Sequence, residues 1–297
     1  MKPIRAIVGF APGGGTDLMA RILAQKLTEV FGQQIIVDNR AGGAGIIAAT
    51  MAKDAPPDGY TIFFGTISTL GTNPAVYPQL PYDPLRDYAP ITMTSYNPYF
   101  LVVHPSVPAR TVPEFIALAR AKPGQLNYAS SGTGGGAHLA LELFRTTAKL
   151  DMVHVPYKGA APSMTDLVAG QVQMTFAQPS VSLGYAKAKR IRILGVTSLK
   201  RVASWPDAAP IADTPGMQGF ETTSWQGVVA PAKTPQAIVN RLYQEVVKAL
   251  DSPELRAKLA AESSEPGGMP PPDFARFIAK EIAKWKRVVR EAHIKVE

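Results

Sequence analysis

The stretch VGFAPGGGTDLMARILAQKL, Val8 to Leu27, puts three consecutive glycines directly before a segment of helical periodicity. A second stretch, YASSGTGGGAHLALELF from Tyr128 to Phe144, does nearly the same. In the first, Leu18, Met19, Ile22, Leu23, Leu27 and Val30 share one face of a helix expected over about Thr16 to Val30. The run Ile4 to Phe10 before it is short and β-branched, hence a strand. Strand, glycine triplet, helix, strand therefore occurs at Ile4–Asp38 and again at Leu126–Tyr157, with Gly13-Gly14-Gly15 and Gly134-Gly135-Gly136 offset by 121 residues. A period this long indicates duplicated domains rather than a solenoid.

The chain around these stretches has 297 residues, more than one core usually serves, so two domains are expected. Strands and helices alternate through the first half (QQIIVDN, GGAGIIAATMAKD, DGYTIFFGT), the rhythm of a parallel sheet covered by helices. The proline-rich interval from Asn73 to Pro90 is expected to be largely irregular. TSYNPYFLVVHP reads as a strand crossing into a second unit. That unit opens with a helix capped by Thr111, and its later strands are DMVHVPY, VQMTFAQ and IRILGVT. TSWQGVVAPAKTP reads as the crossing back, followed by a helix with Thr234 as N-cap and Pro235 at its first position. The last helix carries Phe274, Phe277, Ile278, Ile282, Trp285 and Val289 on one face.

Composition narrows the function. The absence of cysteine excludes disulfides, thiol catalysis and Cys-based metal sites. No apolar run approaches the ~18 residues of a membrane span. The net charge of +8 is spread along the chain without interleaved aromatics, which favours a basic surface over nucleic-acid binding. The four histidines, His104, His138, His154 and His293, show no metal-ligand spacing, and no nucleophile elbow surrounds Ser130 and Ser131. Neither a metal, a cofactor nor a catalytic set is expected.

A glycine run before a helix leaves free N–H groups at the positive end of the helix dipole, which makes an anion site. The phosphate loop fails here because no lysine follows Gly15. A dinucleotide fingerprint is incomplete, although Asp38 stands where a ribose-binding acid would sit. A small carboxylate held between two such loops suits the duplication, and tight turns alone remain the bland reading. Neutral donors close to the loops are Thr16, Ser68, Thr69, Asn73, Ser130, Ser131 and Thr133. Asp17 either complements the helix dipole or meets a ligand, and His138 could donate to an anion.

Taken in order, PIRAIVGFAPGGGTDLMARILAQKL, IIVDNRAGGAGIIAA, DGYTIFFGT, VHVPYKGAAPSMTDLVAGQVQMTF and WQGVVAPAKTP resemble the Bug family, the extracytoplasmic solute receptors of tripartite tricarboxylate transporters. The resemblance runs from Pro3 to the final helix; one departure is NRAGGAGIIAA, where the family more often has proline after the arginine. It implies a two-lobed periplasmic-binding-protein α/β fold of the type II, Venus-flytrap kind, each lobe a mixed, mostly parallel sheet flanked by helices. Lobe one would comprise residues 1–101 and 226–297 and lobe two residues 102–225, with hinge crossings near 98–104 and 221–229. The resemblance places ligand contacts at Phe10, Gly13, Gly14, Gly15 and Thr16 in lobe one. In lobe two it places them at Ser131, Thr133, Gly134, Gly136, Ala137 and His138, with Lys158, Gly159, Gln178 and Trp225 at the border. It further implies a non-enzymatic receptor for a small organic carboxylate: a di- or tricarboxylate, an acidic amino acid or an aromatic carboxylate. Its partners would be the membrane subunits of a transporter, and its leader would have been removed in the periplasm. Nothing in the sequence predicts oligomerisation, so a monomer is expected.

Overall fold

The computed structural model describes residues 2–261 and 264–291; His293 lies outside them. The chain begins with β1 (Ile4–Val8), α1 (Gly15–Phe31), β2 (Ile35–Asn39), α2 (Ile46–Lys53), β3 (Thr61–Thr66), a wide π-helical turn Ile67–Thr72, α3 (Asn73–Val76) and β4 (Tyr88–Pro98). It then builds β5 (Phe100–Val103), α4 (Val112–Ala121), β6 (Asn127–Ser130), α5 (Gly136–Thr147), β7 (Val153–Pro156), α6 (Ala160–Val168), β8 (Met174–Ala177), α7 (Pro179–Lys187), β9 (Arg192–Val196) and β10 (Ala209–Pro210). It closes with β11 (Thr223–Pro231), α8 (Gln236–Leu250), α9 (Pro253–Ala261), β12 (Glu265–Pro266) and α10 (Pro271–Glu291).

Two sheets result, ordered β12-β4-β11-β3-β1-β2 and β10-β9-β5-β8-β6-β7. They share one plan. In each, a central strand pairs in parallel with its two neighbours, β1 with β2 and β3, β6 with β7 and β8. In each, an antiparallel strand lies on the far side of the third: β11 between β3 and β4, β5 between β8 and β9. β5 follows directly from the first sheet, and β11 brings the chain back to it, so the connections between lobes sit at the middle of both sheets. The first sheet ends at Pro98 and the second begins at Phe100, slightly before the expected boundary at 101. On the return, Thr223 to Trp225 already pair with β4, so these three residues belong to the first sheet rather than to lobe two.

Apolar side chains cover both faces of each sheet. In lobe one, Leu23, Leu27, Ile62, Phe64, Val246 and Leu250 pack on one face, and Ile7, Phe63, Trp225, Phe274, Ile278 and Trp285 on the other. In lobe two, Phe115, Phe144 and Phe176 fill one face, and Phe100, Met164, Leu167 and Val196 the other. Leu139 of α5 is fully buried in the lobe-one cluster that holds Ile67 and Leu70, so the lobes touch through side chains as well as backbone.

Some local expectations shift. Val30 stays exposed, because α1 turns that position outward past its last buried residue, Leu27. The Thr111 hydroxyl caps α4 by accepting from Glu114 N at 3.3 Å. Thr234 instead donates its hydroxyl to Pro231 O at 2.7 Å, and Pro235 takes the N-cap of α8. The proline-rich interval contains the single helical turn α3, with proline in its first positions.

Candidate functional site

Both glycine triplets follow the same path. Gly13 and Gly134 have φ of +83° and +75°, left-handed values that a Cβ would strain. Gly14 and Gly135 are extended N-caps, and their carbonyls accept from Leu18 N at 3.0 Å and Leu139 N at 2.9 Å. In each loop a side chain four residues on holds the first glycine: Asp17 Oδ2 accepts from Gly13 N at 2.9 Å, and His138 Nδ1 accepts from Gly134 N at 3.0 Å. The N-caps Gly14 and Gly135 have no side chain to cap α1 and α5, so the first-turn N–H groups are left for partners from outside the helix.

Those two side chains are therefore loop supports. Burial pushes the Asp17 carboxyl upward, but hydrogen bonds from Arg21, Gly13 and Asn39 outweigh it and hold its pKa below the usual carboxylate range. His138 is 4% exposed, and burial lowers its pKa to about 4. Its ring stacks on His154 at 3.9 Å; burial and that neighbour bring His154 to about 3. Both imidazoles are neutral at neutral pH. With Nδ1 accepting, His138 carries its proton on Nε2. His138 Nδ1 thus accepts from its own loop and supports the path of the second triplet.

A cavity of about 50 Å³ lies between the loops. Lobe one contributes Phe10, Gly14, Gly15 and Thr16 after β1, and Thr66, Ile67 and Ser68 at the end of β3. Lobe two contributes Ser131 and Ala137 around the second triplet, Ala160, Ser163 and Met164 on α6, and Thr175, Phe176, Ala177, Gln178 and Val181 where β8 passes into α7. Tyr99 and Ser224, at the two crossings, complete the wall. The site thus lies outside the carboxyl ends of the parallel strands, where open α/β sheets bind ligands. The first turns of α1, α5, α6 and α7 all border it, and each helix terminus adds partial positive charge. Among the described residues, no Asp, Glu, Lys, Arg or His lines it.

Of the expected contacts, Phe10, Gly14, Gly15, Thr16, Ser68, Ser131, Ala137 and Gln178 are brought together on this wall. Others bind the lobes to one another. Gly136 N donates to Ser68 Oγ at 2.9 Å, Thr72 Oγ1 donates to Gly134 O at 2.9 Å, and the Tyr77 hydroxyl donates to Thr133 O. Lys158 is exposed, but its carbonyl accepts from Ala11 N at 3.3 Å, and Gly159 packs against Ala11. Thr69 and Asn73 are fully buried and shape the wide turn: Thr69 Oγ1 accepts from Thr66 N at 2.9 Å, and Asn73 Nδ2 donates to Ala44 O and the Tyr82 hydroxyl. Trp225 points into the lobe-one core, where its Nε1 donates to Glu281 at 3.0 Å, so its ring is not a cleft wall.

Thr66, Ile67, Tyr99, Ala160, Ser163, Met164, Thr175, Phe176, Ala177, Val181 and Ser224 escaped the sequence reading. One usable signal was the duplication itself. The rule that picked Ser68 from the end of β3 picks Thr175 to Gln178 from the end of β8, its counterpart. Asp38, the residue that kept a ribose site open, is occupied by Arg5 and Arg40. Burial would raise its pKa, but those two guanidiniums hold it low, and it lies away from the cavity.

Two lobes of common plan, joined by central crossing strands around a cleft of helix starts, define a periplasmic binding protein, and solved structures agree. The periplasmic binding protein BugD superposes with a TM-score of 0.95 at 26% identity, covering 99% of each chain. Rpa4515 of R. palustris, solved with adipate, gives 0.95 at 38% identity, covering 99% of this chain and 98% of its own. MatC of Rhodopseudomonas palustris, solved with bound malate, gives 0.92 at 29% identity over 97% and 98%. Residues 19–294 match the tripartite tricarboxylate transporter family receptor, and the chain belongs to that family.

Proposed function

We propose that this chain captures a small organic carboxylate between its lobes in the periplasm and delivers it to the membrane subunits of a tripartite transporter. The observation that carries this reading is the cavity itself: four helix N-termini and nine neutral polar side chains, with no cation among the described lining residues. Backbone N–H groups and hydroxyls can satisfy a carboxylate through charge-assisted bonds of about 1.5–3 kcal/mol each. Three or four of these, less the cost of closing and immobilising, allow micromolar binding, about 8 kcal/mol. A salt bridge would hold the anion more firmly against release on opening. Adipate and malate in the two neighbours support the same ligand chemistry.

The test is carboxylate-dependent thermal stabilisation. At a hundredfold excess over Kd a ligand adds about 2.7 kcal/mol, which for a chain of this size means a rise of about 5 °C. Gly136→Ala should lose most of that rise. A Cβ there would lie 2.3 Å from Ile67 Cγ2 across the cleft, and a β-branched side chain cannot easily swing away. The clash falls between lobes rather than within one, so the unliganded Tm should change little. Affinity should drop about 10- to 100-fold, the effect of 1–3 kcal/mol. Full affinity in Gly136→Ala, or no response to any carboxylate, would remove the reading.

A further inference from the structure

We infer that the outer face of α10 is a docking surface for an anionic phospholipid bilayer. The helix runs for 21 residues, Pro271–Glu291. Its inner face is spent on the core, where Phe274, Ile278, Ile282 and Trp285 are buried against the first sheet. At about 100° per residue, Arg276, Lys280, Lys286, Arg287 and Arg290 share the opposite third of the circumference. All five are exposed. From Arg276 to Arg290 the row is about 21 Å long.

The acids of the helix do not offset this row. Asp273 stands at its start and pairs with Arg276. Glu281 is buried and accepts from the indole N–H groups of Trp225 and Trp285. Elsewhere on the surface, cations have acid partners: Arg21 with Asp17 at 3.0 Å, Lys26 with Glu254 at 2.7 Å, Arg256 with Asp251 at 2.6 Å. Among the described residues, Lys280, Lys286, Arg287 and Arg290 have none. Two like-charged pairs, Arg276–Lys280 and Lys286–Arg290, even stand four residues apart, a spacing that weakens a helix. A solvated helix face interleaves both signs; this one carries a single sign.

Shape selects the partner. The positions between the cations are Ala279 and Ala283, both exposed, so the long side chains stand clear and can reach one plane together. A convex row of this kind meets a flat sheet of phosphates along its whole length, whereas an acidic protein would need a groove to do so. Single-stranded nucleic acid calls for aromatic rings among the cations, and the rings of Phe274, Phe277 and Trp285 pack on the core instead. With its apolar face committed, the helix has nothing to insert, so binding is superficial, reversible and salt-sensitive. The same helix supports the cleft. Glu281 holds Trp225 of β11 and packs near Gly71, in the wide turn that supplies Ser68 and Thr72 to the second triplet. Lying on a bilayer by α10 keeps that turn about 10 Å, one helix diameter, from the headgroups.

Co-sedimentation of the full chain with vesicles tests the inference. At ~0.1 M salt the protein should pellet with phosphatidylcholine vesicles that contain phosphatidylglycerol, and stay in solution with phosphatidylcholine alone. At ~1 M salt, where the Debye length shrinks to about 3 Å, it should be released. Lys280→Glu combined with Arg287→Glu should weaken binding at least about tenfold. Lys187→Glu combined with Lys189→Glu alters the net charge equally in another basic run, at the end of α7, and should change binding less than about threefold. The neutral pair, Lys280→Gln with Arg287→Gln, should give an intermediate loss and guards against a folding defect, which circular dichroism reads in each variant. No binding to phosphatidylglycerol vesicles at low salt overturns the inference and leaves an acidic protein as the partner for this face. Equal losses from the two Glu pairs reduce the effect to net charge and overturn it as well. So does parent-like binding in the Gln pair.

Discussion

Asp17 and His138 stand at matching positions, each four residues past a left-handed glycine, and each accepts that glycine's N–H. Their chemistry differs. Asp17 is a charged acceptor at a helix start, where the dipole favours it. His138 is a neutral acceptor kept so by burial. Removing Asp17 with Ala leaves Gly13 N without its acceptor and takes one of two acceptors from Asn39 Nδ2, which keeps Phe10 O. We expect a loss of about 1–3 kcal/mol in urea unfolding with an unchanged m-value, together with weaker ligand binding. A stability within 0.5 kcal/mol of the parent (roughly the noise of surface substitutions) would show that the loop holds its path unaided. The glycine-to-acceptor spacing was legible in the sequence, since both Gly13–Asp17 and Gly134–His138 keep it. What the sequence left open was the direction in which each side chain points, because a helix-start residue can face its own loop or the cleft.

At the scale of elements, α5, β6 and β7 meet through a stack of rings. His138 from α5 lies on His154 from β7, and Tyr128 from β6 stacks on His154 at 5.0 Å. Around them, His154 Nε2 lies 2.7 Å from Ser130 Oγ, Tyr128 donates to Glu142, and Arg145 pairs with Glu142 at 2.7 Å. Unfolded, these histidines titrate near 6.5; folded, near 4 and 3. Between those limits the unfolded chain binds more protons, so stability is complete above pH 6.5 and falls as the pH drops toward 4. For His138 the loss by pH 5 should be about 2 kcal/mol. Urea midpoints measured from pH 7 to pH 5 should follow that slope, and His154→Phe should flatten it. A midpoint constant over that range would mean the ring stack does not suppress protonation. Most elements here were readable because apolar periodicity and capping agreed, as in α1, α4 and α10. Two were not. α7 (PSVSLGYAK) mixes serine, valine and glycine and has little amphipathic contrast; its neighbours in the fold hold it helical. The wide turn at Ile67–Thr72 is bent into shape by distant groups, with the Tyr82 hydroxyl donating to Thr69 O at 2.7 Å and Asn73 bonding Ala44 O. No local pattern encodes partners that far away. Both carry cavity residues that the sequence did not point to, Ile67 on the turn and Val181 on α7.

On the scale of the whole molecule, the duplication visible as two glycine triplets becomes two sheets with one strand plan, and the cleft is where their loops face. The exchange of central strands makes the two halves unequal in one respect. The second sheet is made entirely from the continuous segment between Phe100 and Pro210. The first has β11 wedged between β3 and β4, so until residues 223–231 exist its middle is missing, and α8 and α10 are missing from its faces. During synthesis the amino-terminal portion must therefore wait, uncompleted, while the later-made domain closes its own core. Translation order and folding order are therefore expected to run in opposite senses. A fragment spanning 99–222 should unfold cooperatively by circular dichroism, and one ending at residue 98 should show no transition; the reverse result would mean the nascent amino-terminal part condenses without its central strand. A chain whose first sheet stays open until its last third is made exposes the unpaired edge of β3 for most of its synthesis.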